Sequence, residues 1–92
     1  MLIRWTEAAA RDLTQICDYI QEHDGPVRAR RIALAIYDRV DSLTIFPYRE
    51  RSGRKSHTRE LVMPDLPYLV IYRIRGEAVE INRILHGAQR WP

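Results

Sequence analysis

The sequence predicts an α+β fold in which a helical hairpin packs on a small antiparallel sheet, in the order β-α-α-β-β-β. Three observations carry that prediction. Apolar residues recur at helical spacing in two successive runs of the first half. An Asp24-Gly25-Pro26 break separates those runs. The second half changes to short segments of strand character, one of them apolar at nearly every position.

Residues 1–5 alternate weakly and read as a first strand. Thr6 can cap the helix that follows, and Glu7 falls in its first turn, where the helix dipole favours a carboxylate. Leu13, Ile16, Cys17 and Ile20 then form one face of a helix reaching about Glu22. Pro26 suits the first position of a second helix. Ala29, Ile32, Ala33, Ile36, Val40 and Leu43 make its stripe, and Pro47 is expected to close it. Two amphipathic helices joined by so short a break form an antiparallel hairpin.

Residues 48–57 are polar, basic and turn-forming. Three strand segments follow, at 58–63, 68–74 and 77–85. The middle one, YLVIYRI, is expected to be central and covered on both faces. Arg75-Gly76 reads as a tight hairpin turn, and Pro64 and Pro67 bracket a loop where no ladder hydrogen bond is needed. The tail from Gly87 to Pro92 is expected to be irregular or one helical turn.

A chain of 92 residues suits one small domain, and no repeat, low-complexity tract or linker places a boundary within 1–92. The single cysteine, Cys17, excludes an intramolecular disulfide and a multi-cysteine zinc site, and points to a reducing compartment. No apolar run is long enough to span a bilayer, and no signal peptide opens the chain. A cytoplasmic protein without membrane contact is the expectation. No glycine-rich phosphate loop, HExxH or paired Cys/His motif is present, so no cofactor or metal is expected.

The charge is unevenly placed. Of fifteen basic residues only Lys55 is lysine; the rest are arginine, whose planar fork suits phosphates and carboxylates. Residues 49–59 hold Arg49, Arg51, Arg54, Lys55 and Arg59 against Glu50 alone, a local charge of +4. The remaining ten basic and eleven acidic residues leave −1 elsewhere. Such a loop is either a solvated surface or the contact for a polyanion or an acidic protein segment. Tyr48 is the one aromatic residue near it in sequence.

Strand parity places Val79, Ile81, Arg83 and Leu85 on one face, so Arg83 interrupts an apolar run. Arg59 stands in line with Leu61, and Arg73 with Leu69 and Ile71. These three arginines either meet at one end of the sheet or individually pair with carboxylates such as Glu60 and Glu80. His57 and His86, with Glu60 and the arginines, would supply the base, acid and cations of a phosphodiester cleavage if they converged.

The ordered set Trp5, Ala9, Asp12-Leu13, Ile16, Tyr19-Ile20, Phe46-Pro47, Gly53-Arg54, Arg59-Glu60-Leu61, Pro67-Tyr68, Val70-Ile71-Tyr72-Arg73, Ile81 and Arg83-Ile84-Leu85-His86-Gly87-Ala88 resembles the RelE/ParE superfamily of bacterial type II toxins, most closely its ParE-like branch. The resemblance implies a small cytoplasmic toxin associated with plasmid stabilisation and growth inhibition. A cognate antitoxin with a flexible, often acidic segment would neutralise it, a toxin–antitoxin heterotetramer being one possible assembly. Two targets follow from the resemblance: DNA gyrase for ParE-like members, which are not hydrolases, or mRNA on the ribosome for RelE-like endonucleases. The long hairpin, the lone Lys55 and the lack of a tyrosine after His86 lean toward gyrase inhibition. In the nuclease alternative the candidate catalytic residues are Arg59, Arg83 and His86, although the spacing of His86 from Arg83 departs from the nuclease pattern. The residues expected to meet target or antitoxin are Arg51, Arg54, Lys55, Arg59, Arg73, Arg83 and His86.

Overall fold

The computed structural model describes residues 1–48, 51–53 and 55–87. Strand β1 is Leu2–Trp5, helix α1 is Glu7–Asp24 and helix α2 is Pro26–Asp41. The hairpin forms where local chemistry demands it. Thr6 Oγ1 accepts a hydrogen bond from the Ala9 N–H at 3.1 Å, which caps α1. Gly25, at φ +92°, sits between the helices and donates its N–H back to the Gln21 carbonyl, and Pro26 opens α2.

Pro47 does not end α2. Regular helix stops at Asp41 and a 3₁₀ turn, Ser42–Thr44, follows. The hydroxyls of Ser42 and Thr44 donate to the Arg39 and Asp41 carbonyls at 2.6 and 2.8 Å, and such side-chain bonds draw the final turns out of α-helical geometry.

The remaining strands are β2 (Arg51–Ser52), β3 (Arg59–Val62), β4 (Tyr68–Arg75) and β5 (Ala78–His86), in the sheet order β1-β5-β4-β3-β2. The α+β class stands, as two helices on a five-stranded sheet. That sheet is mixed rather than antiparallel, because β1 pairs in parallel with β5. No hairpin joins these two strands, so nothing in their connection imposes the antiparallel sense. Strand β2 was not foreseen; two residues are too few to show an alternation.

β4 lies in the middle of the sheet with Val70, Ile71 and Tyr72 fully buried, as its apolar run requires. Gly76, at φ +57°, takes the first place of the two-residue turn to β5, where glycine enters the left-handed region without steric cost. The core joins Leu13 and Ile20 of α1, Ile32, Ile36 and Val40 of α2, and Leu61, Val70, Tyr72, Val79, Ile81 and Ile84 of the sheet.

One irregularity resets the parity of β5. Tyr72 pairs with Ile81 but Ile71 pairs with Arg83, so Asn82 is an extra residue in a bulge. Ile84 therefore joins Val79 and Ile81 in the core, and the simple alternation that grouped Arg83 with Val79 and Ile81 does not hold. Among the described residues, no helix is long and apolar enough to cross a membrane.

Candidate functional site

The bulge aims Arg83 at helix α1. Its Nε donates to Asp12 Oδ2 at 2.7 Å and its Nη2 to Asp12 Oδ1 at 3.1 Å. The backbone N–H of Ile84 donates to Asp12 Oδ2 at 2.9 Å. β1 covers β5 only as far as Ile81, so this carboxylate satisfies a strand-edge donor that no neighbouring strand reaches. The hydrogen bond to Asp12 raises the Arg83 pKa, partly opposed by burial.

The other described arginines of the candidate set have partners away from Asp12. Arg59 Nη1 donates to the Tyr48 carbonyl at 3.1 Å, and its guanidinium lies 5.1 Å from the centre of the Tyr48 ring. Arg73 and Arg75 stand 3.9 and 3.8 Å from Glu80, whose Oε1 accepts a hydrogen bond from Asn82. Arg51 makes a close ion pair with Glu60 at 2.8 Å, joining an exposed cation to a carboxylate that is 2% exposed. Arg59, Arg73 and Arg83 thus do not converge as one cationic cluster. Arg54 lies outside the described residues, as do Ala88 and the tail after it.

The two candidate histidines, His57 and His86, are also separated. His86 meets Tyr68 edge to face, with ring centres 5.9 Å apart, at the start of β4. His57 lines a pocket that includes Ile74, near the other end of that strand. Tyr68 and Ile74 stand about 20 Å apart at the usual rise per strand residue. His57 and His86 therefore cannot serve one scissile phosphate in this arrangement. Glu60, considered as a companion base, is enclosed beside Arg51.

Two of the concave surfaces among the described residues are lined by these candidate side chains. The first, a cleft of about 470 Å³, lies between the hairpin and the Tyr68–His86 end of the sheet. Ile16, Tyr19, Ile20, Leu66, Tyr68 and Ile84 give it apolar walls, with Asp12, Arg28, Arg83 and His86 among its polar groups. Burial pushes the Tyr68 phenol up from its ordinary value. The second is a pocket of about 450 Å³ in the basic loop, bounded by Tyr48, Lys55, His57 and Arg59. Among the described residues, no three His, Cys, Asp or Glu side chains gather as a metal site.

Sequence reasoning missed the Asp12–Arg83 tie and the cleft around Tyr19 and Tyr68. The signal for the cleft was present: Tyr19 sits beside the α1 stripe and Tyr68 opens the apolar strand, and both are large aromatics near an edge. Nothing in the local sequence signalled the bulge.

Residues 3–91 match the family model described as ParE toxin of type II toxin-antitoxin system, parDE. The chain is 46% identical over 90 residues to toxin Y4kP of Sinorhizobium fredii, a match covering 98% of this chain and 92% of that protein. It is 38% identical over 85 residues to toxin RelE2 of Caulobacter vibrioides, covering 92% and 93% respectively. Among solved structures, the chromosomal ParDE TA system from P. aeruginosa aligns with a TM-score of 0.86 at 26% identity, covering 94% of this chain and 95% of that one.

Proposed function

The chain belongs to the ParE toxin family of type II toxin–antitoxin systems, and from that premise we propose that it inhibits DNA gyrase in the cytoplasm and is neutralised by a cognate antitoxin. The observation that favours a binding inhibitor over a nuclease is the dispersal of the candidate catalytic groups. Arg83 is held by Asp12, and His57 and His86 lie at opposite ends of β4. General acid–base cleavage needs its acid and base within hydrogen-bond reach of the same reacting group. An inhibitor that works by occupying a protein surface needs no such convergence.

The cleft beside Tyr19 and Tyr68 supports the antitoxin part of this reading. Its apolar walls suit the buried face of an amphipathic segment. Tyr19 and Val27, both exposed large side chains on the hairpin, extend the apolar surface available to such a partner.

A supercoiling assay with purified gyrase tests the target. Stoichiometric toxin should inhibit supercoiling or stabilise the cleavage complex, and relief by the antitoxin should follow; an unaffected enzyme rejects gyrase. Ribosome-dependent mRNA cleavage is the second reading, favoured by the relatives named toxin RelE1 and toxin RelE2. Primer extension on translated mRNA decides it, since A-site cuts are its direct product. Arg83→Ala and His86→Ala should abolish those cuts if they are catalytic.

A further inference from the structure

The solvent face of α2 carries charges of both signs around an exposed leucine. Ala29, Ile32, Ile36 and Val40 turn to the core, so Arg30, Arg31, Leu34, Tyr37, Asp38 and Asp41 lie on the opposite side, all exposed. Leu34, 54% exposed, stands in the middle of that side, with the arginines one turn before it and the aspartates one to two turns after it. We propose that this face pairs α2 antiparallel with α2 of a second copy of the chain, about a two-fold axis at Leu34. The pairing does not depend on whether gyrase is the protein target.

Three features carry it. The first is charge placement. The side chains of Arg30, Arg31, Asp38 and Asp41 make no ion pair or hydrogen bond among the described residues. Arg31 and Asp38 are about 10 Å apart along the helix, beyond the reach of an i, i+4 pair. At about 100° per residue, Arg31 and Asp38 fall on one flank of Leu34, and Arg30, Tyr37 and Asp41 on the other. A two-fold axis across the helix at Leu34 keeps the flanks and reverses the direction. Arg31 then meets Asp38 of the second copy, and Arg30 meets its Tyr37 and lies within one turn of its Asp41. By symmetry each contact occurs twice.

The second feature is the helix dipole, which favours carboxylates at an N-terminus and cations at a C-terminus. α2 is charged the other way. Arg28, Arg30 and Arg31 fill its N-terminal half, its first turn holds no acidic residue, and Asp38 and Asp41 stand near its C-terminal end. That order disfavours the isolated helix and favours an antiparallel pair, in which each cationic end lies beside an acidic one. The third feature is apolar. Leu34 and Tyr37 are exposed one turn apart, and Tyr37 is set against Trp5 with ring centres 5.4 Å apart, so its ring is already held in place. The two Leu34 side chains close on each other at the axis, and each Tyr37 ring offers a face to an Arg30 guanidinium. A 16-residue helix is about 24 Å long, too short to bury the roughly 800 Å² per partner of a standard interface, so the dimer is a weak one.

The test is sedimentation velocity of the full chain, without antitoxin, from about 5 μM to about 500 μM. The sedimentation coefficient should rise with concentration toward that of a dimer, and less steeply as salt is added. Leu34→Glu sets two carboxylates at the axis and should weaken association about tenfold or more. Arg31→Asp and Asp38→Arg should each do the same, because each puts like charges opposite one another at two symmetric places. Combining Arg31→Asp with Asp38→Arg in one chain keeps the net charge and restores opposite charges across the axis, so most of the lost affinity should return. Arg11→Asp, at an exposed position of α1, should leave association unchanged and so exclude a response to net charge alone. Circular dichroism of each variant checks that the fold is intact, as exposure of all four positions requires. A chain that stays monomeric throughout overturns the proposal, as does a dimer indifferent to Leu34→Glu or one that the combined charge exchange fails to rescue. In the monomeric case, loss of antitoxin binding or of gyrase inhibition on Leu34→Glu would assign the face to that partner instead.

Discussion

Asp12 and Arg83, 71 positions apart in the chain, form a two-point carboxylate–guanidinium pair whose shared oxygen also accepts the Ile84 N–H. The pair joins the middle of α1 to the uncovered edge of β5. It makes Arg83, the most suggestive cation of the last strand, part of the architecture that seats the hairpin on the sheet.

The tie should therefore be visible in stability. Asp12→Ala strands both the Arg83 guanidinium and the Ile84 N–H, and should cost about 2–3 kcal/mol. Arg83→Ala leaves Asp12 bonded to Ile84 and, with Arg83 partly solvent-screened, should cost about 1 kcal/mol. Urea denaturation of the two single variants and the double variant gives the coupling directly. Independent, additive effects would contradict the pairing. A catalytic Arg83 would instead lose activity on substitution with stability nearly unchanged.

Tyr72 provides a second long-range anchor. It is fully buried, and its hydroxyl donates to the Pro47 carbonyl at 2.7 Å, so β4 holds the segment that ends in Tyr48. Tyr72→Phe keeps the ring and removes that donor, which should cost about 1 kcal/mol. A fall in Tm of about 4–8 °C follows for a domain of this size. An unchanged Tm would mean that the hydroxyl contributes nothing to holding Pro47.

These two anchors show where sequence reading stops. Thr6, Gly25 and Pro26 announced the hairpin because caps and breaks are local, and Leu13 to Ile20 announced a core face because helical periodicity is local. The Asn82 bulge shifts all later residues of β5 to the opposite parity, and one residue of bulge has no compositional mark. The parallel pairing of β1 with β5 depends on contacts between the two ends of the fold. His57 and His86 looked like a pair because their types fit one reaction. Their separation is set by the length of β4, which only the assembled sheet reveals.

Cys17 bears on chemical reactivity. It is partly buried against the core, and burial, with a smaller contribution from the Asp18 charge, raises its thiol pKa. A raised pKa lowers the thiolate fraction at any given pH below its value, and the thiolate is the reactive form. Alkylation by iodoacetamide at pH 8 should thus be several times slower than for an exposed cysteine, and should speed up in urea. Labelling of the native chain at the unfolded rate would contradict the burial.

Gly53 and Gly76 are both in turns, yet they should respond differently to a methyl group. At Gly76 a Cβ meets nothing within 4 Å, and the constraint is the left-handed φ of +57°. Gly76→Ala should cost about 1–2 kcal/mol, and Gly76→Asn should recover part of it because asparagine tolerates that region. At Gly53 the constraint is space: a Cβ would overlap Thr58 Oγ1 and stand 2.9 Å from the Thr58 carbonyl carbon. Thr58 is buried and bonded to Lys55, so it has little room to retreat. Gly53→Ala and Gly53→Asn should therefore be equally harmful, at about 1–3 kcal/mol, with asparagine giving no rescue. Because the clash falls on the tie between Gly53 and Thr58, Gly53→Ala should also loosen the basic loop and speed tryptic cleavage after Lys55, whereas Gly76→Ala should lower Tm alone. Rescue of Gly53 by asparagine would mean that backbone conformation, and not contact with Thr58, requires the glycine there.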